Sequence, residues 1–150
     1  MDKETIRRFR EHIRHFERGL NLQNNSNCCG GVTLAQCHTL LEIFSHGSIN
    51  LSELSGKLYL DKSTVSRTVE GLVGNGLINR SIPRENRRTV IISLTEAGKN
   101  TCREIHREND AYFGDMLEAV PGKDLPVFLK SFELLVKKMT ERSHEYQDSC

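Results

Sequence analysis

The run that decides the fold is Asp61–Thr95, DKSTVSRTVEGLVGNGLINRSIPRENRRTVIISLT. It reads as a helix, a strand, a basic loop and a second strand. Asp61 is a good N-cap, because a carboxylate accepts N–H groups that the first helical turn leaves without partners. Val65, Val69, Leu72 and Val73 recur at helical spacing and predict one apolar face. Lys62, Ser63, Ser66, Arg67 and Glu70 occupy the other. Gly74 and Gly76 end the helix, since glycine takes the left-handed conformation without steric cost. Residues 77–82 and 89–94 then read as strands, the second rich in β-branched side chains. Between them lies PRENRR, residues 83–88, too polar to pack.

A helix of this length spans about 20 Å at ~1.5 Å per residue. Its small hydroxylated first turn can approach base edges and phosphates closely. An α-helix fits the major groove of B-DNA, and a basic ribbon can reach the flanking backbone or minor groove. Charge agrees with that use. Between Lys62 and Leu94 six cations face two acids, a balance of +4 in a chain whose total is +1. The expected module is a winged helix-turn-helix that binds duplex DNA. The plainer alternative is a solvated helix followed by an ordinary hairpin, but pattern, caps and charge all favour the former.

The whole chain sets limits on this reading. Its 150 residues suit one domain with an extended appendage. Hydrophobic residues make up 37%, a modest core, so helical surface is expected to be completed by a partner subunit. No apolar run is long enough to span a membrane, and Met1-Asp2-Lys3-Glu4 does not open a secretion signal. A cytoplasmic protein is expected, with its five cysteines as thiols rather than structural bridges. The near-neutral total makes the basic segment a local patch.

Working outward, a first helix is predicted from about Lys3 to Leu20, with Ile6, Phe9, Ile13, Phe16 and Leu20 as a narrow apolar seam. His12 and His15 lie off that seam and read as surface histidines. Residues 21–31, NLQNNSNCCGG, form a polar loop carrying Cys28 and Cys29. Thr33 caps a second helix to about His46, with Leu34, Leu41 and Phe44 as its expected core stripe and Cys37 on the same side. Asn50 and Glu53 make a capping-box pair for a third helix, whose buried side is Leu51, Leu54 and Leu58. That helix, a turn at Tyr59-Leu60 and the helix from Asp61 make the helix-turn-helix. Thr95 caps a long helix to about Val120, with an irregular face of Ile105, Tyr112, Met116 and Leu117. Pro121-Gly122 breaks the chain. A last helix, from about Asp124 to His144, carries Leu125, Phe128, Phe132, Leu135, Val136 and Met139 as its stripe. From Ser93 to Cys150 eight cations meet eleven acids, so this end is negative while the reading segment is positive.

These residues resemble the multiple-antibiotic-resistance regulator (MarR) family. The likeness is densest from Thr33 to Asn100. It rests on TLAQCHTLLEI, on LSELSGKLYLDKSTVSRTVEGLVGNGLINR and on RENRRTVIISLTEAG. The last run is the most specific: a wing with paired arginines, an alternating strand, then Leu-Thr-x-x-Gly. The resemblance implies a mainly α fold with a small β-hairpin wing. Its expected parts are a dimerisation helix and cysteine-containing loop over 1–32, a winged DNA-binding lobe over 33–98, and dimerisation helices over 99–150. It implies a homodimer reading a palindromic site, and a sequence-specific transcriptional regulator, expected to be a repressor. Lys62 opens the recognition helix, and Ser63, Thr64, Ser66 and Arg67 match its groove-facing positions. Arg87 and Arg88 match the wing-tip arginines. The family usually has an aspartate just before them, where this chain has Asn86. An amide cannot hold arginine by a full ion pair, so Arg84, Arg87 and Arg88 all stay open as the minor-groove reader. A two-fold dimer would place its recognition helices about 34 Å apart, one duplex turn.

Regulators of this class commonly answer to a small molecule, an oxidant or a metal. No cofactor is required, and three effector routes are open. Cys102 and His106 lie one turn apart on the long helix, Cys37 and His38 start the second helix, and Cys28 and Cys29 sit in the loop before it. Thiolate with imidazole suits Zn²⁺, Cu(I) or another soft ion. Cys28 and Cys29, in a polar loop, suit a thiol oxidation switch. The plain alternative makes Cys37 a small core residue and the others incidental. The third route is an organic ligand. Two other function classes compete with this one. A protein-binding winged helix would present an apolar or acidic groove face, against which Ser63, Thr64, Arg67 and the wing arginines argue. A thiol enzyme would need a base near Cys28 or Cys29, and neither a catalytic motif nor Cys-x-x-Cys spacing is present.

Overall fold

A computed structural model describes residues 1–24, 31–84 and 89–147. The chain falls into two compact units that divide after Asn109. In the first unit, α1 spans Lys3–Asn24, one turn longer than expected. Its seam stands apart from any packed interior: Ile6, Phe9, Ile13 and Phe16 are each 41% to 48% exposed.

The remaining helices of this unit begin where local chemistry dictates. Thr33 opens α2 (Leu34–His46), and its hydroxyl accepts the Gln36 N–H while the Gln36 side chain accepts the Thr33 N–H. Asn50 and Glu53 repeat this reciprocal arrangement at α3 (Leu51–Leu58). Asp61 caps α4 (Lys62–Gly74) by accepting the Thr64 N–H at 2.9 Å. The chain leaves α3 through Tyr59 at φ 55°, a left-handed conformation that bulky side chains rarely take. It leaves α4 through Asn75 and a left-handed Gly76 at φ 72°.

Three strands, not two, make the sheet. β2 (Ile78–Ser81) and β3 (Ile91–Leu94) form the expected hairpin, β2 one residue shorter at each end and β3 two residues shorter at its start. β1 (Ser48–Asn50), which the sequence reading treated only as the approach to a cap, pairs antiparallel with β3 on its other side. The order is β1-β3-β2, with Ile49 opposite Ile92 and Ile78 opposite Leu94. β3 is thus the central strand, and Ile92 and Leu94 turn inward from it.

The core lies between this sheet and the helices around it. Val65, Val69 and Leu72 of α4, Leu54 of α3, and Ile49, Ile78 and Ile92 of the sheet are all essentially inaccessible. Burying one such side chain is worth roughly 1.5–3 kcal/mol. Two expectations need correction. Val73 is 36% exposed and lies off the buried face of α4. On α2 the core residues are Cys37, Leu40 and Ile43, whereas Leu34 and Phe44 face outward and Leu41 is half-buried. That helix is apolar on several faces, so its periodicity does not single out one.

The final helix of the unit, α5 (Glu96–Leu117), contributes Cys102 and Ile105 to the same core. The lobe's interior therefore continues past residue 98, the expected boundary. α5 is tied at its start. Thr95 Oγ1 accepts the Gly98 N–H at 3.0 Å and donates to the Gly76 carbonyl at 2.7 Å. The Thr95 N–H donates to the Leu77 carbonyl at 3.1 Å.

In the second unit α5 ends at Leu117 and α6 spans Leu125–Gln147. Phe128 and Phe132 stack with centroids 6.1 Å apart. The α6 stripe is open: Phe128, Phe132, Leu135 and Val136 are 42% to 46% exposed.

Gly98 sits so close to the turn before β2 that an added Cβ would lie 2.1 Å from the Leu77 carbonyl oxygen. Gly98→Ala is expected to destabilise the protein by roughly 2–3 kcal/mol, lowering Tm by several degrees; an unchanged Tm would show that the turn can give way. Tyr59→Gly removes a strained left-handed tyrosine and is expected to raise stability by about 1 kcal/mol in urea unfolding. A loss instead would mean the tyrosine side chain holds more than its backbone conformation costs.

Candidate nucleic-acid interface

The outward side of α4 is built on its cap. Asp61 accepts three hydrogen bonds: the Thr64 N–H and the Ser63 hydroxyl on Oδ1, and the Thr64 hydroxyl on Oδ2 at 2.7 Å. These donors hold its carboxyl far below the usual aspartate pKa, the Ser63 hydroxyl contributing most, so it is ionised throughout the physiological range. Arg67, one turn along, donates from Nη2 to Thr64 Oγ1 at 3.3 Å. Lys62, Ser63 and Arg67 are exposed, and Thr64 and Ser66 are half-buried. The letters mark these residues as polar and outward; that Asp61 bonds two of their hydroxyls is visible only in the fold.

A second set of contacts joins the helix to the ribbon. Ser66 Oγ donates to Glu70 Oε1 at 3.4 Å, and Arg80 Nη1 of β2 lies 3.9 Å from the same oxygen. The pair is exposed, so it adds little stability. It does direct Arg80 toward the α4 side of the sheet, a role the sequence alone did not assign. Arg84 is exposed in the turn after β2. Arg87 and Arg88 lie outside the described residues.

Each described Cys/His pair is split between the interior and solvent. Cys102 is buried, and its Sγ donates to the Leu40 carbonyl at 3.6 Å. Desolvation pushes this thiol up to about 11, so it carries negligible thiolate at neutral pH. His106, one turn along, is exposed and packs its ring against Phe44 at 5.5 Å. Cys37 is buried while His38 points outward. One inward and one outward residue make each Cys/His pair a poor joint ligand. Among the described residues, no group of three or more His, Cys, Asp or Glu is placed to hold a metal ion. Cys28 and Cys29 lie outside the described residues.

Comparison with known proteins agrees with this geometry. The model of the MarR family matches residues 32–90. The uncharacterized HTH-type transcriptional regulator YsmB of Bacillus subtilis (strain 168) is 29% identical over 111 residues, covering 74% of this chain and 76% of its own. The HTH-type transcriptional repressor MdtR of the same organism is 32% identical over 75 residues, 50% of this chain and 48% of its own. The crystal structure of Streptococcus pneumoniae FabT in complex with DNA shares the fold, with a TM-score of 0.81 at 20% identity over 91% of this chain and 98% of FabT. The matched segment takes in the capped helix and most of its ribbon: over residues 32–90 this chain is similar to the MarR family, and its fold is that of FabT.

Proposed function

We propose that the protein binds duplex DNA as a homodimer and represses transcription at a palindromic site. α4 enters the major groove, and the β2–β3 ribbon with its basic loop reaches the flanking backbone or minor groove. The observation that carries this reading is the outward face of α4. It presents Lys62, Ser63, Thr64 and Arg67, while Val65, Val69 and Leu72 are consumed by the core. Guanidinium and hydroxyl groups on a helix of groove width suit base edges and phosphates. The FabT structure was solved with DNA, and MdtR is named a repressor; both lend support. A protein-docking role for this face is disfavoured, because its exposed residues Lys62, Ser63 and Arg67 are polar and two of them are cations.

The dimer follows from the two open apolar stripes, on α1 and on α6. Each suits burial against a helix of a second copy. We place the protein in the cytoplasm, where a DNA regulator meets its target; among the described residues, no helix is long and apolar enough to cross a membrane. No catalytic role is proposed.

Release from DNA is proposed to follow an effector: a small molecule, a soft metal or an oxidant. Cys102 is a poor trigger for the last two, being buried and protonated. A thiol route would run through Cys28 and Cys29, and an organic effector needs neither.

Two substitutions separate specificity from affinity. Arg67→Ala is expected to weaken binding to a selected operator by about tenfold or more while leaving random-sequence DNA nearly unaffected. Equal losses on both would make Arg67 a phosphate contact. Replacing Arg87 and Arg88 together by Ala is expected to flatten the plot of log affinity against log salt by ~0.9 for each phosphate contact removed. An unchanged slope would take the loop out of the interface.

A further inference from the structure

The first turn of α4 has a fixed hydrogen-bond polarity. An ionised carboxylate only accepts. The hydroxyls of Ser63 and Thr64 must therefore spend their single hydrogens on Asp61, to which both are bonded. What each can still offer outward is lone pairs. Thr64 Oγ1 gives one of these to Arg67, which in turn fixes the threonine rotamer from the other side.

We propose that Asp61 is a positioning residue for base recognition: it holds Ser63 and Thr64 as acceptors, so that this turn selects a base bearing an exocyclic amino group, adenine or cytosine, at the position it faces. The assignment rests on the DNA-binding reading above and names what that face discriminates. In the major groove adenine N6 and cytosine N4 carry the donors, whereas guanine and thymine present acceptor oxygens there. A hydroxyl free to rotate would suit either class. These two are not free to rotate, because turning a hydrogen toward a guanine or thymine oxygen would leave Asp61 short of a partner. Mismatched lone pairs facing each other across a dry contact leave both groups unsatisfied. Arg67, tethered to Thr64 beside them, supplies the donors that this turn lacks and suits a neighbouring guanine.

The test uses the full chain. Its preferred operator is first selected from random duplexes. Single adenines are then replaced by purine, and single cytosines by 2-pyrimidinone, each lacking only the major-groove amino group. The parent is expected to lose about tenfold in affinity at one symmetric position per half-site, the scale of one good hydrogen bond. Asp61→Asn keeps a cap oxygen for the Thr64 N–H but cannot accept from both hydroxyls, so one regains its freedom. This variant should still prefer the parent operator to its amino-free form, but should bind guanine or thymine at that position within about twofold of the parent base. A Ser63→Ala, Thr64→Val double variant, which removes both acceptors and keeps Asp61, should lose the amino requirement. The assignment is overturned if a selected operator tolerates loss of every amino group. It is overturned equally if Asp61→Asn rejects guanine and thymine at that position as strongly as the parent does. Failure to select any sequence, even at low salt, would overturn the DNA-binding reading and this inference together.

Discussion

The structure depends on one threonine. Thr95 donates its N–H to the Leu77 carbonyl and its hydroxyl to the Gly76 carbonyl, while its Oγ accepts the Gly98 N–H. Those bonds join three things at one point: the turn that ends α4, the exit of β3, and the start of α5. The angle between reading helix and ribbon is therefore not set by the ribbon's own pairing alone. Gly98 reinforces the junction from the other side, since only a residue without a side chain lets α5 approach the Leu77 backbone. A surface that must match a groove needs its parts held to within a fraction of an ångström. Here that rigidity comes from backbone groups rather than from long side chains, which would lose more rotamer freedom in being fixed.

Much of this was readable in the chain, and the reason is locality. Thr33, Asn50 and Asp61 each act within three residues of themselves, so their caps could be named in advance. Contacts between distant parts of the sequence were harder. β1 is three residues long and exists because Ile49 pairs with Ile92, far along the chain. No period can be read from three residues. The buried side of α2 was missed for another reason: leucines, a phenylalanine and an isoleucine surround that helix, and only the packed sheet and α5 choose among them. Domain limits shifted likewise. Cys102 and Ile105 belong to the lobe because of what they meet, which the helical pattern does not disclose.

The polar face of α4 was legible as a list but not as a network. Hydroxyls and arginines on a capped helix are visible in the letters; that the capping carboxylate also fixes the direction of two hydroxyls needs coordinates. The cysteines teach the converse. Their spacing from histidine invited a ligand site, yet a residue four positions along a helix shares a face only approximately. At Cys102 and His106 that difference separates the interior from solvent. Cysteine is equally at home in either place, so the letter alone could not decide.

The open stripes on α1 and α6 carry a consequence for the cell. If they are closed by a second copy, the folded subunit is stabilised by mass action, and its persistence depends on how many copies are present. At low dosage the equilibrium would favour lone chains with greasy helices bare to the medium, prey for proteases before they reach any promoter. Expression level would then act twice, once on occupancy of the operator and once on survival of the protein itself, giving a steeper response than simple binding provides.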